Sequence, residues 1–177
     1  MKKVNYIDLA EDMQKYVIHF MLYPMNWNKF RSAKSLNIRK VNWKETKYLN
    51  EKGTGLNSGV KTITNKNGGI YLFIVKSDIL PNISEYLVYI GRAQITAKHN
   101  LRVRVKKYFG EYLSSNERPK ITRMMQYWKR HLYIKYIEIN DNKITKTLEA
   151  RLINTLLPPF NDVIPDKKIR KAIKAFK

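Results

Sequence analysis

The sequence predicts an α/β protein, a small sandwich whose elements follow the order β-β-α-α-β-α. Two short apolar runs, 71–75 and 86–90, are rich in β-branched and aromatic residues and predict two strands. A third strand is predicted at 131–139, where apolar side chains alternate along the chain. Amphipathic helical patterns lie between the second and third strands, so we expect helices to cover the sheet.

Residues 1–66 precede this core and are expected to form a helical, basic and aromatic arm. Apolar side chains recur at helical spacing through residues 1–22, with Asp8 as the candidate N-cap. From 23 to 67, aromatic and basic residues are interleaved. They could contact the bases and phosphates of DNA, or they could pack as an ordinary amphipathic segment with a solvated basic side. The glycine-rich stretch 53–59 marks the boundary with the core.

The core, residues 67–162, begins with a predicted β-hairpin. Residues 69–71 (Gly-Ile-Tyr) open the first strand and residues 89–91 (Tyr-Ile-Gly) close the second, while Pro, Asn and Ser residues in 76–85 predict a loop between them. Triplets of this kind also occur in buried strands for packing alone. One tyrosine comes late in each strand motif, so both hydroxyls could reach the same end of the sheet.

Two helices are predicted after the hairpin. The first begins at Asn100 and carries basic residues opposite an apolar side. The second, 121–129, directs Met124, Met125 and Trp128 inward. These two helices are expected to supply apolar residues that cover the sheet.

Glu149 stands near the expected start of the last core helix. Thr145 or Thr147 is the candidate N-cap, and Pro158–Pro159 ends the helix. The dipole of a helix favours a carboxylate in the first turn, so capping is the alternative to a functional role for Glu149. A short basic helix is predicted within the C-terminal segment 163–177.

The charge balance is the main global feature of the chain. Lys plus Arg is 35 and Asp plus Glu is 14, so 35 − 14 gives a net charge of +21. Such a surplus attracts a polyanion, and nucleic acid is the default expectation. The positive charge is spread along the chain, which fits a groove that follows a phosphate backbone better than a polybasic membrane anchor.

Several classes of function lack support in the sequence. The chain has no Cys, which excludes disulfides, Cys-ligated zinc and a thiol nucleophile. There is no His-Glu-x-x-His motif and no Gly-x-Ser-x-Gly motif. No apolar run is long enough to span a membrane and the N-terminus lacks a signal-peptide pattern. We therefore expect a cytoplasmic protein that does not act at a membrane.

Four pieces of the sequence, in this order, resemble the GIY-YIG endonuclease family. They are the two hairpin triplets at 69–71 and 89–91, the basic segment 100–109, and the segment 148–161, which contains one carboxylate and ends in Pro-Pro-Phe-Asn. The family includes the nuclease domain of the bacterial excision-repair C subunit, intron homing endonucleases and some restriction enzymes. The resemblance covers about residues 68–161 and implies a GIY-YIG-like sandwich with a three-stranded antiparallel sheet flanked by helices.

The resemblance implies a set of catalytic residues for hydrolysis of DNA. They are Tyr71, Tyr89, Arg104, Tyr108, Glu149 and Asn161. Glu149 is expected to hold Mg²⁺, with Mn²⁺ as a substitute, because this hard ion keeps several waters and takes few protein ligands. Aligning the family motif on Asn100–Leu101 and Tyr108–Phe109 places the phosphate-binding arginine at Arg104.

The strand tyrosines match the family pair that contacts or deprotonates the attacking water. A tyrosine has a reference pKa of about 10, and a nearby cation is expected to lower that value. Asn161 is expected to brace the site without binding the metal. His99 is either an auxiliary proton acceptor or a solvent-facing loop residue. Which tyrosine acts stays open at this point.

The implied substrate is double-stranded DNA, cut by hydrolysis to leave 5′-phosphate and 3′-hydroxyl ends. The residues expected to contact DNA around the site are Arg92, Arg102, Lys106 and Lys107. The compact chain favours a stand-alone type II restriction-like enzyme, and a homodimer that cuts both strands is an open option. The alternatives are a phage, mobile-element or repair nuclease of lower specificity and a catalytically silent DNA-binding module.

Overall fold

A computed structural model of the chain describes residues 5–32, 36–114 and 118–175. Within these ranges the protein is mixed α/β. The strands are β1 (Lys44–Lys47), β2 (Gly68–Lys76), β3 (Glu85–Ala93) and β4 (Leu132–Ile139). The helices are α1 (Tyr6–Gln14), α2 (Pro24–Lys29), α3 (Ser58–Thr62), α4 (Leu101–Leu113), α5 (Pro119–Trp128), α6 (Asn142–Leu156) and α7 (Lys167–Lys174). Among the described helices, none has the length and apolar character that a bilayer crossing requires.

The four strands form one sheet in the order β1-β4-β2-β3, and each neighbouring pair is antiparallel. The predicted hairpin is confirmed, since β2 pairs with β3 across a loop at residues 77–84. The predicted third strand is confirmed as β4, which pairs with the other side of β2. Helix α4 begins after Asn100, whose side chain accepts from the backbone N–H of Val103, as expected for an N-cap.

The expected number of three strands is wrong, because β1 adds a fourth at the sheet edge. This strand, Lys-Glu-Thr-Lys, lies in the segment assigned to the arm and has no apolar alternation that would predict it. It is held by its pairing with β4 and by cross-strand ion pairs. Lys44 contacts Glu138 at 2.6 Å and Glu45 contacts Lys135 at 3.2 Å. Charged side chains of this kind suit an edge strand.

The sheet is covered by helices on both faces. On one face, apolar residues of β2 and β4 pack with α3, α4 and α5, and the fully buried members include Tyr71, Phe73, Ile134, Val105 and Met124. On the other face the cluster is formed mainly with α6, and its buried members include Ile70, Ile90, Ile137, Leu148 and Leu152. Met125 and Trp128 of α5 are also buried, which confirms the predicted inward side of that helix.

The arm differs from the sequence expectation in two respects. The first helix ends at Gln14 instead of continuing to residue 22, and its N-cap is Asn5, not Asp8. Within the described ranges the helix buries no residue, so packing of its apolar side does not extend it. Tyr48 and Leu49, also from residues 1–66, are fully buried in the main core.

The start of α6 also differs from the expectation. Asp141 is the N-cap, accepting hydrogen bonds from the backbone N–H groups of Lys143 and Ile144, so Thr145 and Thr147 are not caps. Counting from Asn142 as the first residue, 149 − 142 + 1 makes Glu149 the eighth residue of the helix. The dipole of the first turn therefore does not explain the position of Glu149.

The C-terminal segment begins its helix at Lys167, capped by Asp166, and the described helix ends at Lys174. The predicted arm and C-terminal segment also include residues 1–4, 33–35 and 176–177, which lie outside the described residues.

Two glycines, one in the sheet and one in a helix, provide a matched test of how closely β2 and β4 approach each other. Gly69 has a φ of +152°, and a Cβ at this position would overlap the backbone carbonyl of Ile137 on β4. We expect Gly69→Ala to destabilise the protein by at least ~1–3 kcal/mol, because neither backbone can move aside without breaking the β2–β4 ladder. Gly110 in α4 has no atom within 4 Å of an added Cβ, so Gly110→Ala is expected to stabilise by about 0.5–1 kcal/mol.

Urea unfolding followed by circular dichroism measures both changes. Equal midpoints for Gly69→Ala and the unmodified protein would contradict this account of the close approach of β4.

Candidate active site

The two hairpin triplets meet because of the register between β2 and β3. Tyr71 lies directly opposite Gly91, and Tyr89 lies opposite Phe73, which makes the two tyrosines diagonal neighbours. A Cβ on Gly91 would overlap the hydroxyl and ring carbons of Tyr71. Because Gly91 of the second triplet has no side chain, the ring of Tyr71 from the first triplet can occupy the space beside it.

A β-bulge next to Tyr89 turns Leu87, and not Tyr89, away from the tyrosine face of the sheet. The register shifts between Phe73 and Ile74, which pair with Tyr89 and Leu87, so Val88 is the extra residue. Strict alternation would place Leu87 and Tyr89 on one face. With the bulge, Leu87 packs on the α6 side of the sheet, while Tyr89 packs on the α4 side. Bulges often re-aim a side chain near an active site in this way.

Helix α4 completes the cluster with Arg104 and Tyr108, which lie one helical turn apart. The hydroxyls of Tyr71 and Tyr108 are 2.6 Å apart, and Tyr108 donates to Tyr89 at 2.9 Å. Arg104 donates from Nε to Tyr71 and from a terminal nitrogen to Tyr108, both at 3.2 Å. Either hydroxyl can donate in the bond between Tyr71 and Tyr108, so the three tyrosines and Arg104 form one hydrogen-bonded network.

Burial governs the protonation of these tyrosines. It raises the pKa of Tyr71, Tyr89 and Tyr108 well above 10, although Arg104 acts to lower the pKa of each. Arg104 therefore lowers each pKa as expected, but burial outweighs its charge, and the net pKa of each tyrosine rises in the chain alone. All three hydroxyls stay protonated at neutral pH and act as hydrogen-bond donors and acceptors.

Glu149 lies on the other face of the sheet from the tyrosines, where α6 crosses β3. Its Oε2 accepts a hydrogen bond from Arg92 at 2.6 Å, and the side chains of the pair are 18% and 31% exposed. Burial raises the pKa of Glu149, opposed by the charges of Arg92 and Arg104 and by the backbone N–H of Arg92. Arg92, expected to contact DNA, is thus engaged with Glu149.

The outer edge of β3 connects the two faces. Val88 accepts from the backbone N–H of Phe160 at 2.9 Å. The side-chain amide of Asn161 bonds both backbone groups of Ile90, at 2.9 and 2.8 Å. Asn142 bonds both backbone groups of Ile95 in the same way, at 2.9 and 3.0 Å. Asn161 therefore has a bracing position, and these contacts seal the edge on either side of residues 91–94.

A pocket of about 290 Å³ opens at this part of the edge. Its lining combines the tyrosine side and the Glu149 side. The lining residues are Tyr71, Tyr89, Arg92, Ala93, Gln94, His99, Arg104 and Glu149. Tyr71 is fully buried, whereas Tyr89 is only partly buried, so Tyr89 is the more accessible hydroxyl. Residues far apart in the sequence thus share one cavity with a guanidinium, a hydroxyl and a carboxylate.

The other residues expected to contact DNA do not line this pocket. Arg102 donates from Nε to the backbone carbonyl of Ile63, which ties α4 to α3. Lys107 is largely exposed and lies 3.7 Å from Glu111, while Lys106 is partly buried. These three residues lie on the outer part of α4 and are not grouped around Glu149.

Arg118 is a residue near the site that the sequence did not indicate. Its guanidinium lies 4.7 Å from the ring centroid of Tyr108, and that of Arg104 lies 4.9 Å from the same centroid. Glu111 accepts from Nε of Arg118 at 3.1 Å and fixes it there. The charge of Arg118 also acts to lower the pKa of Tyr89. No motif contains this arginine, because its proximity arises from the packing of α5 against α4.

The donor set in the pocket fits a hard divalent cation held by few protein ligands. Glu149 is the carboxylate that lines the cavity. Across the described ranges, no cluster of three His, Cys, Asp or Glu side chains is arranged to hold a metal. Mg²⁺ is compatible with one carboxylate together with water and substrate phosphate.

The partly buried carboxylate of Glu149 makes a testable contribution to stability. Because the folded-state pKa of Glu149 lies above its ordinary value, the folded protein binds this proton more tightly, and stability falls as the pH rises through that pKa. Glu149→Gln cannot ionise. We expect its melting temperature, relative to the unmodified protein, to be higher at neutral pH, with the difference shrinking as the pH falls below the ordinary glutamate range.

Glu51→Gln is the control for this measurement by differential scanning calorimetry. Glu51 is exposed and Lys47 lowers its pKa, so the substitution is expected to leave the melting temperature unchanged or slightly lower at neutral pH. A Glu149→Gln difference that does not vary with pH would contradict the assigned shift.

Comparison with known proteins adds no further identification of this site. No family model, no curated protein and no solved structure matches the chain. The functional conclusion therefore depends on the geometry of the pocket, the charge of the chain and the resemblance of its motifs.

Proposed function

We propose that this chain is a metal-dependent DNA endonuclease with a GIY-YIG-like core. The observation that carries the proposal is the pocket at the β3 edge, which gathers Tyr89, Arg104 and Glu149 from three different elements. Hydrolysis of a phosphodiester requires stabilisation of negative charge and activation of a water. A guanidinium, a hydroxyl and a carboxylate around one cavity are suited to those tasks.

Arg104 is assigned to the scissile phosphate. Its guanidinium is held by hydrogen bonds to Tyr71 and Tyr108, so its orientation is fixed before a ligand arrives. A planar guanidinium matches the oxygens of a phosphate group, and a fixed donor aimed at developing charge needs little reorganisation during the reaction. Tyr71 and Tyr108 therefore act as positioning residues for Arg104.

Tyr89 is assigned to the attacking water. It receives the hydrogen bond from Tyr108, which leaves its own hydroxyl proton free of the tyrosine chain, and it is partly accessible in the pocket. Its raised pKa argues against a resting tyrosinate at neutral pH. Tyr89 would orient the water by hydrogen bonding and pass on a proton only when a bound cation and phosphate change its surroundings.

Glu149 would hold Mg²⁺, or Mn²⁺ in its place. The bound ion would supply charge neutralisation at the phosphate and lower the pKa of a coordinated water. In the chain alone, Arg92 contacts Glu149 at 2.6 Å, so the carboxylate has to be shared with, or released by, that guanidinium. Arg92 would then be available for a DNA phosphate, which is the role expected from the sequence.

Double-stranded DNA is the proposed substrate. A net charge of +21 supports binding to a polyanion, and most of its energy would come from release of counterions. We propose a stand-alone type II restriction-like role in the cytoplasm, with a homodimer as one way to cut both strands. A phage, mobile-element or repair nuclease of lower specificity is the alternative within the same chemistry.

A catalytically silent DNA-binding module is the second candidate function. The observation that favours it is the ion pair between Arg92 and Glu149, which occupies an oxygen of the one carboxylate that lines the pocket among the described residues. Under this alternative, Glu149 would serve to fix Arg92 at the edge of β3. Turnover in the presence of a divalent cation separates the two candidates.

Cleavage of supercoiled plasmid and of phage DNA tests the proposal. The unmodified protein is expected to give discrete fragments in Mg²⁺ and none in EDTA. Arg104→Ala and Glu149→Gln are each expected to lower the rate by ~10²–10³, because each removes charge stabilisation at the reacting phosphate. Glu51→Gln, which changes an exposed carboxylate, is the matched control and should cut normally.

Smears or nicks in place of discrete fragments would favour a nuclease of lower specificity. Binding without any cleavage in Mg²⁺ and Mn²⁺ would favour the binding module.

The two strand tyrosines are expected to differ. Tyr89→Phe should lose most of the cleavage rate and keep the stability of the fold. Tyr71→Phe should also lower the free energy of unfolding by about 1–3 kcal/mol, because it removes one buried hydrogen-bond partner from each of Tyr108 and Arg104. Tyr86→Phe, a half-exposed residue of β3 outside the pocket, is the control.

Single-turnover kinetics together with urea unfolding measure both effects. Full activity in Tyr89→Phe would overturn its assignment to the attacking water.

A further inference from the structure

A second concave surface lies on the arm side of α6. This phosphate pocket, as we name it, has a volume of about 320 Å³ and is formed where α2, α6 and α7 meet. Its polar and charged lining consists of Asn26, Lys29, Arg31, Arg151, Asn154 and Thr155. Three of these side chains are cationic, and no acidic side chain lines the pocket among the residues that the structure describes.

The two guanidiniums are anchored by the backbone of the arm. Arg151 donates from one terminal nitrogen to the carbonyls of Arg31 and Ser32, at 3.1 and 3.0 Å. Arg31 donates from one terminal nitrogen to the carbonyls of Asn28 and Phe30, at 3.1 and 3.2 Å. A guanidinium has five N–H donors, so each keeps several for a ligand after these bonds are made. Anchoring reduces the entropy that binding would otherwise cost.

The side chains of Asn26 and Asn154 in the pocket lining form hydrogen bonds with backbone groups and not with a carboxylate. Asn26 donates to the backbone carbonyl of Asn154 at 2.9 Å, and the Asn154 side chain accepts from the backbone N–H of Asp166 at 2.9 Å. The carboxylate of Asp166 accepts from the N–H groups of Lys168 and Ile169 at the start of α7. It therefore caps that helix and does not pair with the cations.

Across the described ranges, Lys29, Arg31 and Arg151 form no ion pair, whereas many other cations of the chain do. Three like charges around one cavity repel one another, and a bound anion would remove that repulsion. The hydrogen bonds of Arg31 and Arg151 to backbone carbonyls of the arm keep these charges close together despite their repulsion.

We propose that the phosphate pocket binds a backbone phosphate of DNA, away from the phosphate that is cut. The proposal rests on the DNA binding of the proposed function. All three cations are exposed at the rim, so a free phosphate ion would be held weakly, whereas a phosphate on a polymer is also retained by the other contacts of the chain. The guanidiniums of Arg31 and Arg151 offer the planar donor geometry that phosphate oxygens accept.

The position of the phosphate pocket suits an extended duplex. Glu149 faces β3, while Arg151, two residues later on α6, faces the arm. The two pockets therefore lie on different sides of α6, so a phosphate bound at the phosphate pocket is not the one that contacts Arg104.

Binding without cleavage tests this inference. Fluorescence anisotropy is measured in EDTA with a labelled duplex of about 20 base pairs at a series of salt concentrations, for the unmodified protein, Lys29→Gln and Arg151→Gln. Each variant is expected to bind about two- to tenfold more weakly at low salt. The slope of log K against log salt should fall by up to about 0.9, the value for one lost phosphate contact.

Two controls separate a local contact from the general field of the protein. Lys52→Gln removes one charge from an exposed turn distant in sequence from the phosphate pocket and should leave the slope unchanged. Arg151→Lys keeps the charge and should retain most of the slope. Melting temperatures of all variants are measured alongside, so that a loosened arm is recognised. Equal slopes for Lys29→Gln, Arg151→Gln and Lys52→Gln would overturn the proposal.

The outcome is distinct from that of the cleavage experiment. Normal cleavage together with unchanged salt slopes for the pocket variants would support the nuclease and reject the phosphate pocket. Absent cleavage together with reduced slopes would reject the nuclease and retain the pocket as part of a DNA-binding module.

Discussion

The pairing of β2 with β3 is the constraint on which the candidate site depends. It sets Tyr71 opposite Gly91 and Tyr89 opposite Phe73, so that both tyrosines lie on the same face of the sheet. Because β3 is an edge strand, both of its faces meet at one open boundary. Groups from α4 on one side and from α6 on the other can therefore reach a common cavity, which neither face of a central strand would allow.

Burial has opposite consequences on the two sides of that cavity. On the tyrosine side it raises the pKa of hydroxyls that are already neutral, so the network remains a fixed set of hydrogen bonds around Arg104. On the α6 side it raises the pKa of a carboxylate, and Arg92 offsets this by direct contact. The first effect stabilises the geometry of an arginine, whereas the second leaves a partly desolvated carboxylate in contact with Arg92.

Charge is organised in a different way elsewhere on the chain. Across the sheet, basic and acidic side chains are paired, as between Lys135 and both Glu45 and Glu85. Around α2 and α6, cations are gathered without such partners among the described residues. Oppositely charged side chains across the sheet attract each other and join strands. Cations gathered around one cavity repel one another, and only a bound anion would remove that repulsion. This contrast supports the proposal that the arm contributes to DNA binding.

The sequence by itself determined the elements whose signals are local. The apolar runs predicted β2, β3 and β4, Asn100 predicted the start of α4, and the two triplets and Glu149 marked the residues that meet in the pocket. Only the tertiary structure decided the rest. The pairing of β1 with β4 depends on backbone bonds that a Lys-Glu-Thr-Lys segment does not signal. The contact of Arg92 with Glu149, the stacking of Arg118 on Tyr108 and the net rise in the tyrosine pKa values depend on distances between elements and on burial. Those distances and burials arise when elements that are far apart in the sequence pack together, and no short stretch of sequence specifies them.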